Sequence, residues 1–504
     1  MKKLLSIILA AVMLCSMNVY VFADGEGGST VGYDASTITM VTDFTGFADM
    51  DDVTADNYAN YTNFYIDSAT GLTNFSTLVN TSQNYSFLNK NVYLKNNIDM
   101  SGATDFAPIG SATGDTTTPT FFFAGTFDGQ GYEIQNLTVT SATRVCNALF
   151  GAVRGCAIRN LVIAESCSFS YTGTSTGRTA ALVAVAAVHG NDSYSTATVN
   201  SVEFNYPILI ENVCNRATVS TTKSGVGGLI AGGTHGTNRY LYIRNCTNEG
   251  AVTNDTDSAG GICARMENTF RGVVIENCLN TGAVTSPFCA GGILGDVTNA
   301  TLVTQIVGCV NTGTITATNA GAITGQFRQA NTVIKDCTNY GYIDTTVNSI
   351  YGNKVNGNTD NVVNCIDKYT GSAEYEFAQK GTDTDANIRI IASIDNLNYQ
   401  RAGFKIIVKD SEGAVVQVID HKCLEVYDSV CGEIDGNIIE YSANVTDTEG
   451  DVDGLREGGY LYALIIKDIP TGSYTFNVTP YSVKDGYTVY GSTTSFNHAV
   501  EEAA

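Results

Sequence analysis

Short segments in which apolar and polar residues alternate recur along most of the chain, and no long stretch has the apolar spacing of an amphipathic helix. One such segment returns at intervals of 28 to 33 residues in the middle of the chain. Its copies read IENVCNRATV (210–219), IRNCTNEGAV (243–252), IENCLNTGAV (275–284), IVGCVNTGTI (306–315) and IKDCTNYGYI (334–343), with a partial copy, VVNCID, from Val362. Alternation with period two predicts short strands, and the longer period predicts repeating structural units.

A second motif interleaves with the first and combines a small residue, two mostly apolar residues and another small residue. It reads ALFG (148–151), ALVA (181–184), GLIA (228–231), GICA (261–264), GILG (292–295), AITG (322–325) and SIYG (349–352). One unit of about thirty residues cannot bury its apolar face alone, whereas stacked units share a continuous core. We therefore predict an all-β chain whose residues 86–370 form a right-handed parallel β-helix. About fifteen extra residues near Gly190 to Thr198 interrupt the period, and we expect an insertion there.

Two residue types hold fixed places in the first motif. Asn occupies its centre at Asn215, Asn248, Asn280, Asn311 and Asn339, and Cys precedes it by two at Cys246, Cys278, Cys309, Cys337 and Cys365. We expect the Asn amides to form a hydrogen-bonded ladder from coil to coil, and we also expect Asn to suit a left-handed turn. The Gly two residues after the Asn is expected where a Cβ would clash. We interpret the Cys series as buried small apolar side chains in preference to a metal or disulfide framework.

The segments on either side of the repeat have different patterns. In residues 24–85, GLTNFSTLVN (71–80) places Leu72, Phe75 and Val79 on one helical face, which predicts a short cap over the first coil. Residues 371–387 are polar and are interpreted as a linker. Seven short alternating segments in 388–497 predict an antiparallel β-sandwich.

The amino terminus and the net charge limit where the protein acts. Lys2 and Lys3, an apolar run from Leu4 to Leu14 and the small residues near Ala23 predict a signal peptide at 1–23 and a secreted protein. Removal of that peptide leaves 25 basic and 50 acidic residues, a net charge of −25. This charge disfavours nucleic acid as a partner. No later apolar run is long enough to predict a membrane span.

Two parts of the chain resemble known proteins. YLKNNIDMSGATDFAPIG (93–110) and FAGTFDGQGYEIQNLTV (123–139) resemble the opening of the β-helix regions of Gram-positive surface proteins, and the second motif is similar to the GLUG motif of that group. This resemblance covers roughly residues 60 to 370 and implies the architecture more than an activity. IDNLNYQRAGFKI (394–406) and TPYSVKDGYTVYG (479–491) resemble immunoglobulin-like modules of secreted clostridial-type proteins.

Residues with recognisable site chemistry are few. Cys423 and Cys431 are close enough in sequence to be a candidate disulfide. Asp447, Glu449, Asp451 and Asp453 alternate as calcium ligands can, but the run lacks the downstream bidentate Glu of an EF-hand, and we interpret it as a solvated acidic turn. The four His residues are isolated, so we expect neither a catalytic site nor a cofactor.

The pattern favours a non-catalytic, adhesin-like surface or matrix protein that presents a β-helical face to a glycan or a cell surface. The first alternative is a polysaccharide lyase or glycoside hydrolase, which needs two or three carboxylates together on neighbouring coils. Glu211 and Glu276 share one motif position, but Arg244 lies between them in the series. The second alternative is a purely structural stalk.

Overall fold

The computed structural model shows an all-β chain, a right-handed parallel β-helix of about 8 turns followed by antiparallel sheets. The fold class predicted from the repeat is thereby confirmed. The structure describes residues 31–103, 106–110, 121–187, 197–199, 202–204, 208–234, 240–266, 272–297, 303–327, 332–344, 348–354, 361–369, 380–381, 388–394, 401–425, 460–466, 469–491 and 493–500.

The described strands of the β-helix form four parallel sheets, here called sheets 1 to 4 in chain order, and sheets 2 to 4 begin at Thr138, Cys146 and Phe150. Sheet 1 has 18 strands: Ala48–Asp49, Asn63–Ile66, Asn91–Leu94, Ile98–Asp99, Thr126–Asp128, Glu133–Gln135, Ala157–Ile163, Ile208–Asn215, Tyr240–Arg244, Thr247–Asn248, Gly272–Glu276, Leu279–Asn280, Val303–Val307, Val310–Asn311, Thr332–Lys335, Thr338–Asn339, Val362–Val363 and Ile366–Asp367. Sheet 2 contains Thr138–Ser141, Ser168–Tyr171, Thr218–Thr221, Val252–Asn254, Val284–Thr285, Ile315–Thr316 and Ile343–Asp344.

Sheets 3 and 4 contain the second motif. Sheet 3 consists of Cys146–Asn147, Arg178–Ala180, Val226–Gly227, Ser258–Gly260, Cys289–Gly291 and Asn319–Gly321. Sheet 4 consists of Phe150–Val153, Val183–Ala187, Ile230–Thr234, Cys263–Met266, Leu294–Val297, Thr324–Phe327 and Tyr351–Lys354. The strands Ala197–Val199 and Val202–Phe204 form an antiparallel pair at the end of the predicted insertion and just beyond it.

The core consists of columns of like residues, because in-register parallel strands place the same motif position above itself every ~4.8 Å. Ile243, Ile275, Ile306 and Ile334 align in sheet 1 and are fully buried. The Asn amides form the ladder that the repeat predicts. Their Nδ2–Oδ1 distances from one coil to the next are 2.8, 2.9, 2.8 and 2.9 Å, and Asp367 accepts the last bond at 3.0 Å.

Glycines of both motifs lie where a side chain would collide with the preceding or following coil. A Cβ on Gly282 would lie 2.1 Å from the carbonyl oxygen of Gly250. A Cβ on Gly261 would lie 2.2 Å from Oδ1 of Asn280, so the second motif begins with a small residue because it packs against the ladder.

The left-handed turn residues are not the ladder asparagines. Positive φ angles of 52–54° occur three residues earlier, at Asn212, Asn245, Asn277, Asp336 and Asn364, and Gly308 takes the same place with a φ of 63°. The ladder asparagines lie at the ends of extended strands. The suggestion that one Asn serves both purposes is therefore wrong, because each coil assigns the ladder and the turn to separate positions.

The amino-terminal end is closed by the helix Ala69–Val79, close to the predicted range 71–80. Ser68 caps it by accepting a 2.9 Å hydrogen bond from the Gly71 amide, and Leu72, Phe75 and Val79 face the core. The Phe75 ring lies 4.8 Å from that of Phe87. Parallel pairing in sheet 1 already begins at Ala48, before this helix. Short 3-10 helices span Ala35–Thr37, Tyr58–Asn60 and Gln83–Tyr85.

The carboxyl-terminal strands form two antiparallel sheets. The first contains Lys380–Gly381, Ile388–Ile394 and Tyr460–Ile466, and the second contains Arg401–Lys409, Val415–Glu425, Gly472–Lys484, Tyr487–Tyr490 and Thr494–Val500. The second sheet contacts the β-helix along the outer side of the Asn ladder. Asp485 accepts a 2.8 Å hydrogen bond from Lys368 Nζ and a 3.1 Å bond from the Tyr340 hydroxyl, and Val489 packs against Val310 and Tyr340.

Candidate functional site

The outer surface of sheet 2 carries a long row of hydroxyl side chains. Its members stand in register on successive coils, and the row consists of Thr140, Ser170, Ser220, Thr253, Thr285 and Thr316, with Asp344 at its end. The intervening Val139, Val219, Val252 and Val284 point inward and are buried. This alternation gives sheet 2 an apolar inner side and a hydroxylated outer side.

A second row lies two residues earlier on the same strands. Thr138, Ser168 and Thr218 stand in register there, and Ala251, Ala283, Thr314 and Tyr342 hold the same place in later coils. The rows are about 6.6 Å apart, because a strand rises ~3.3 Å per residue. We call the two rows together the hydroxyl face.

Most hydroxyls of this face are available to a ligand. Thr140, Ser220, Thr253 and Thr285 are exposed, and Ser170 is half-buried. Thr140 and Ser170 are hydrogen-bonded to each other at 2.9 Å. Each hydroxyl can donate one hydrogen bond and accept others, so the face offers a repeating, uncharged array to a polyhydroxylated partner.

Exposed aromatic rings lie at the last coil of the hydroxyl face and beside an earlier coil. Tyr342 is 44% exposed, and its ring centroid is 5.7 Å from that of Tyr369. Phe288, 38% exposed, follows the sheet 2 strand Val284–Thr285. An exposed Tyr combines an apolar ring face with a polar hydroxyl, a combination that suits the apolar and polar sides of a sugar.

A cluster of three carboxylates lies where the β-helix meets the carboxyl-terminal sheet. Arg216 donates to Glu133 Oε1 at 2.9 Å, and its Nε lies 3.5 Å from Glu249 Oε2. Lys405, on the strand Arg401–Lys409, lies 3.6 Å from both Glu165 Oε2 and Glu249 Oε2. Glu249 and Lys405 are only 16% and 15% exposed.

The charges in this cluster keep its central carboxyl ionised. Burial by itself raises the pKa of Glu249, but the positive charges of Arg216 and Lys405 outweigh it, and the resulting pKa lies below the ordinary value. A carboxyl held ionised in this way is poorly suited to be the general acid of glycosidic cleavage. Because Lys405 belongs to the carboxyl-terminal sheet and Glu165 and Glu249 belong to the solenoid, the cluster joins the two by ion pairs.

Charged residues in two other places are also paired with opposite charges. Arg244 lies between Glu211 and Glu276 in register, and its Nε is 2.6 Å from Glu211 Oε1. In sheet 4, Arg265 Nε lies 3.7 Å from Asp296, which is fully buried, and Nη1 lies 3.2 Å from Asp257. The shared position of Glu211 and Glu276 thus forms a row of alternating charge.

One group of carboxylates has the spacing of a cation site. Oxygen atoms of Asp49, Asp51 and Asp67 lie within 4.8 Å of one another near the amino-terminal end. Asp49 accepts a 2.8 Å hydrogen bond from the Tyr65 hydroxyl, and Asp67 lies 3.2 Å from Lys95 Nζ. This group has no signal in the sequence, because its members belong to separate strands and turns.

The structure places the predicted structural residues in two buried columns, the Asn ladder and the Cys series. The candidate disulfide Cys423–Cys431, the acidic run Asp447, Glu449, Asp451 and Asp453, and the insertion near Gly190 lie outside the residues or side chains that the structure describes. Among the described residues, no helix is long and apolar enough to cross a membrane.

Comparisons with family models, curated proteins and solved structures find no match for this chain. The arrangement of its own residues is therefore the basis for a functional proposal.

Proposed function

We propose that this chain is a secreted, non-catalytic surface or matrix protein of the adhesin type, and that it binds glycan through the hydroxyl face. The observation that carries the proposal is the in-register array of exposed Thr and Ser side chains on sheet 2, with Tyr342 at its last coil. Secretion and a Gram-positive surface location are expectations from the amino-terminal segment and from the resemblance of residues 60–370.

The distribution of charge supports the choice of this face. The outer side of the Asn ladder contacts the carboxyl-terminal sheet, and the row through Arg244 on sheet 1 consists largely of paired charges. The hydroxyl face, in contrast, has one charged residue in its first row, Asp344. A neutral array recognises a polyhydroxylated polymer at the cost of desolvating few charges.

The test measures binding of the mature chain, residues 24–504, to a glycan array and to insoluble polysaccharides. A double substitution, Thr253→Lys with Thr285→Lys, disrupts the array on adjacent coils. Each lost hydrogen bond contributes about 0.5–1.5 kcal/mol, so two lost bonds are expected to weaken affinity by about 5- to 150-fold. Tyr342→Ala is expected to weaken binding as well, because it removes the exposed ring.

The control is Gln305→Lys, which adds one positive charge, half of that in the double variant, at an exposed position of sheet 1. The proposal requires that this control bind as the unsubstituted chain does. Equal losses in the control and the double variant would show that added charge, and not the hydroxyl array, governs binding.

The enzymatic alternative is tested on the same material. Release of reducing or unsaturated ends from a polysaccharide would refute the non-catalytic proposal and favour a lyase or hydrolase. Absence of binding to every glycan and cell surface, with no release of ends, would favour the structural stalk.

A further inference from the structure

The five cysteines Cys246, Cys278, Cys309, Cys337 and Cys365 form a single column, which we call the cysteine column. The residue after each of the first four cysteines pairs in register with the residue after the next cysteine, as Thr338 does with Ile366. The first four are fully buried, and Cys365, on the last coil, is half-buried. None of the five is in a disulfide.

Neighbouring thiols in the column contact one another from Cys246 to Cys365. The thiols also donate to main-chain carbonyls. Cys337 Sγ donates to Lys335 O at 3.2 Å, and Cys365 Sγ donates to Val363 O at 3.4 Å. The contact with Cys337, together with burial, raises the pKa of Cys365.

The spacing of the column does not suit disulfides. Equivalent Cβ atoms on in-register coils point the same way and so lie about as far apart as the coils, ~4.8 Å, whereas a disulfide requires Cβ atoms about 3.5–4.5 Å apart. The same spacing suits a metal ion between two sulfurs. Two metal–sulfur bonds of about 2.3 Å placed end to end span about 4.6 Å, which is close to the distance between coils.

From this geometry we propose that Cys337 and Cys365 bind one soft monovalent cation of the Cu(I) class in linear two-sulfur coordination. Thiolate sulfur is the ligand that such cations prefer. Binding exchanges one proton for the cation: M⁺ and two thiols give a neutral complex of one thiolate and one thiol, and one H⁺ is released. The neutral product avoids the cost of a net charge in the core.

The terminal pair is favoured over the other pairs of the column because of its access to solvent. Cys365 Sγ lies at the last coil and is half-buried, whereas Cys246, Cys278 and Cys309 are enclosed by coils on both sides. A cation can reach the terminal pair without opening the solenoid.

The experiment uses the reduced mature chain, residues 24–504, under anaerobic conditions, with Cu(I) buffered by a chromogenic Cu(I) chelator. A single thiol competes poorly with such a chelator, whereas a two-sulfur site withdraws Cu(I) from it. We expect at least one Cu(I) per chain to be withdrawn. X-ray absorption should show two sulfur ligands on the copper.

Substitutions at the terminal pair separate this site from other thiols. Cys337→Ala and Cys365→Ser should each lose one bound Cu(I). Cys156→Ala removes a buried cysteine outside the column and should retain full uptake. Circular dichroism checks that each variant remains folded, and Cys365→Ser is the milder change because that side chain is already half-exposed.

Three results would overturn the inference. The chelator could retain all of the copper, the Cys365→Ser variant could withdraw as much as the unsubstituted chain, or Cys156→Ala could lose as much as Cys337→Ala. None of these results bears on glycan binding, since the hydroxyl face contains no cysteine.

Discussion

Replacement of Asn280 by Ala removes one step of the Asn ladder. The Asn280 side chain is fully buried. Its Oδ1 accepts from Asn248 Nδ2 at 2.9 Å, and its Nδ2 donates to Asn311 Oδ1 at 2.8 Å and to Gly282 O at 2.9 Å. The substitution therefore removes hydrogen bonds to the coil on either side.

The magnitude follows from the groups that lose a partner. Each of these hydrogen bonds contributes about 1 kcal/mol net, and a buried polar group left unsatisfied costs about 1–3 kcal/mol. Asn248 keeps its bond to Gly250 O, so its donor is partly satisfied, whereas Asn311 Oδ1 loses the donor from Asn280. We expect Asn280→Ala to lower the free energy of unfolding by about 3–5 kcal/mol.

Urea unfolding followed by far-ultraviolet circular dichroism measures this change. The control is Asp367→Asn, because Asp367 Oδ1 accepts the last ladder bond and a bond from the Tyr369 backbone amide, and the Asn side chain retains that oxygen. Its effect should lie within about 0.5 kcal/mol. A loss below about 1 kcal/mol for Asn280→Ala, at an unchanged slope with urea, would refute the view that the ladder stabilises the stack.

Three further predictions concern backbone geometry and charge. Gly282→Ala should destabilise by about 2 kcal/mol or more in urea unfolding, since its Cβ would meet Gly250 O at 2.1 Å; an unchanged midpoint would contradict this. Asn277→Val should cost about 1–2 kcal/mol in the same assay, because its φ is 52°, whereas Asn277→Gly should be tolerated. Because folding lowers the pKa of Glu249, its ionised carboxylate stabilises the folded state fully at pH values above the pKa that Glu249 has in the unfolded chain. This stabilisation is lost as the pH falls through the lower pKa of Glu249 in the folded state. Limited proteolysis should therefore release the carboxyl-terminal sheet more readily in acid. In the Glu249→Gln variant, proteolysis should release the sheet already at neutral pH. Cleavage of the unsubstituted chain that does not depend on acid would count against the contact with Lys405.

The features that a repeat makes visible were predictable from the sequence. The Asn at the motif centre and the Cys before it recur at nearly constant intervals, and in-register stacking converts such intervals directly into columns. The left-handed turn was assigned to the wrong Asn. Asn245 and Asn248, like Asn277 and Asn280, are both Asn and lie three residues apart, and the residue type alone does not distinguish ladder from turn.

The contacts of the carboxyl-terminal sheet were not predictable in the same way. The carboxylate cluster joins Glu133, Glu165 and Glu249 from separate coils with Lys405 from another part of the chain. These residues share no interval, and their side chains meet only after the solenoid has formed and the sheet has packed against it. The hydroxyl face did have a signal, the alternation of Thr or Ser with Val, Phe or Ile in TVT (138–140), SFS (168–170), TVS (218–220) and TIT (314–316).

The stacking that creates the columns also limits what kind of ligand such a face can recognise. A residue position that faces outward on one coil faces outward again on the next coil, about 4.8 Å further along the axis. A row therefore offers many weak, similar contacts and not one enclosed pocket. Individual hydroxyl contacts contribute little, but contacts made by one long ligand act together, because each later contact forms within the same complex. Affinity for the hydroxyl face should therefore grow with the length of the ligand, and this dependence favours a polymer over a free sugar.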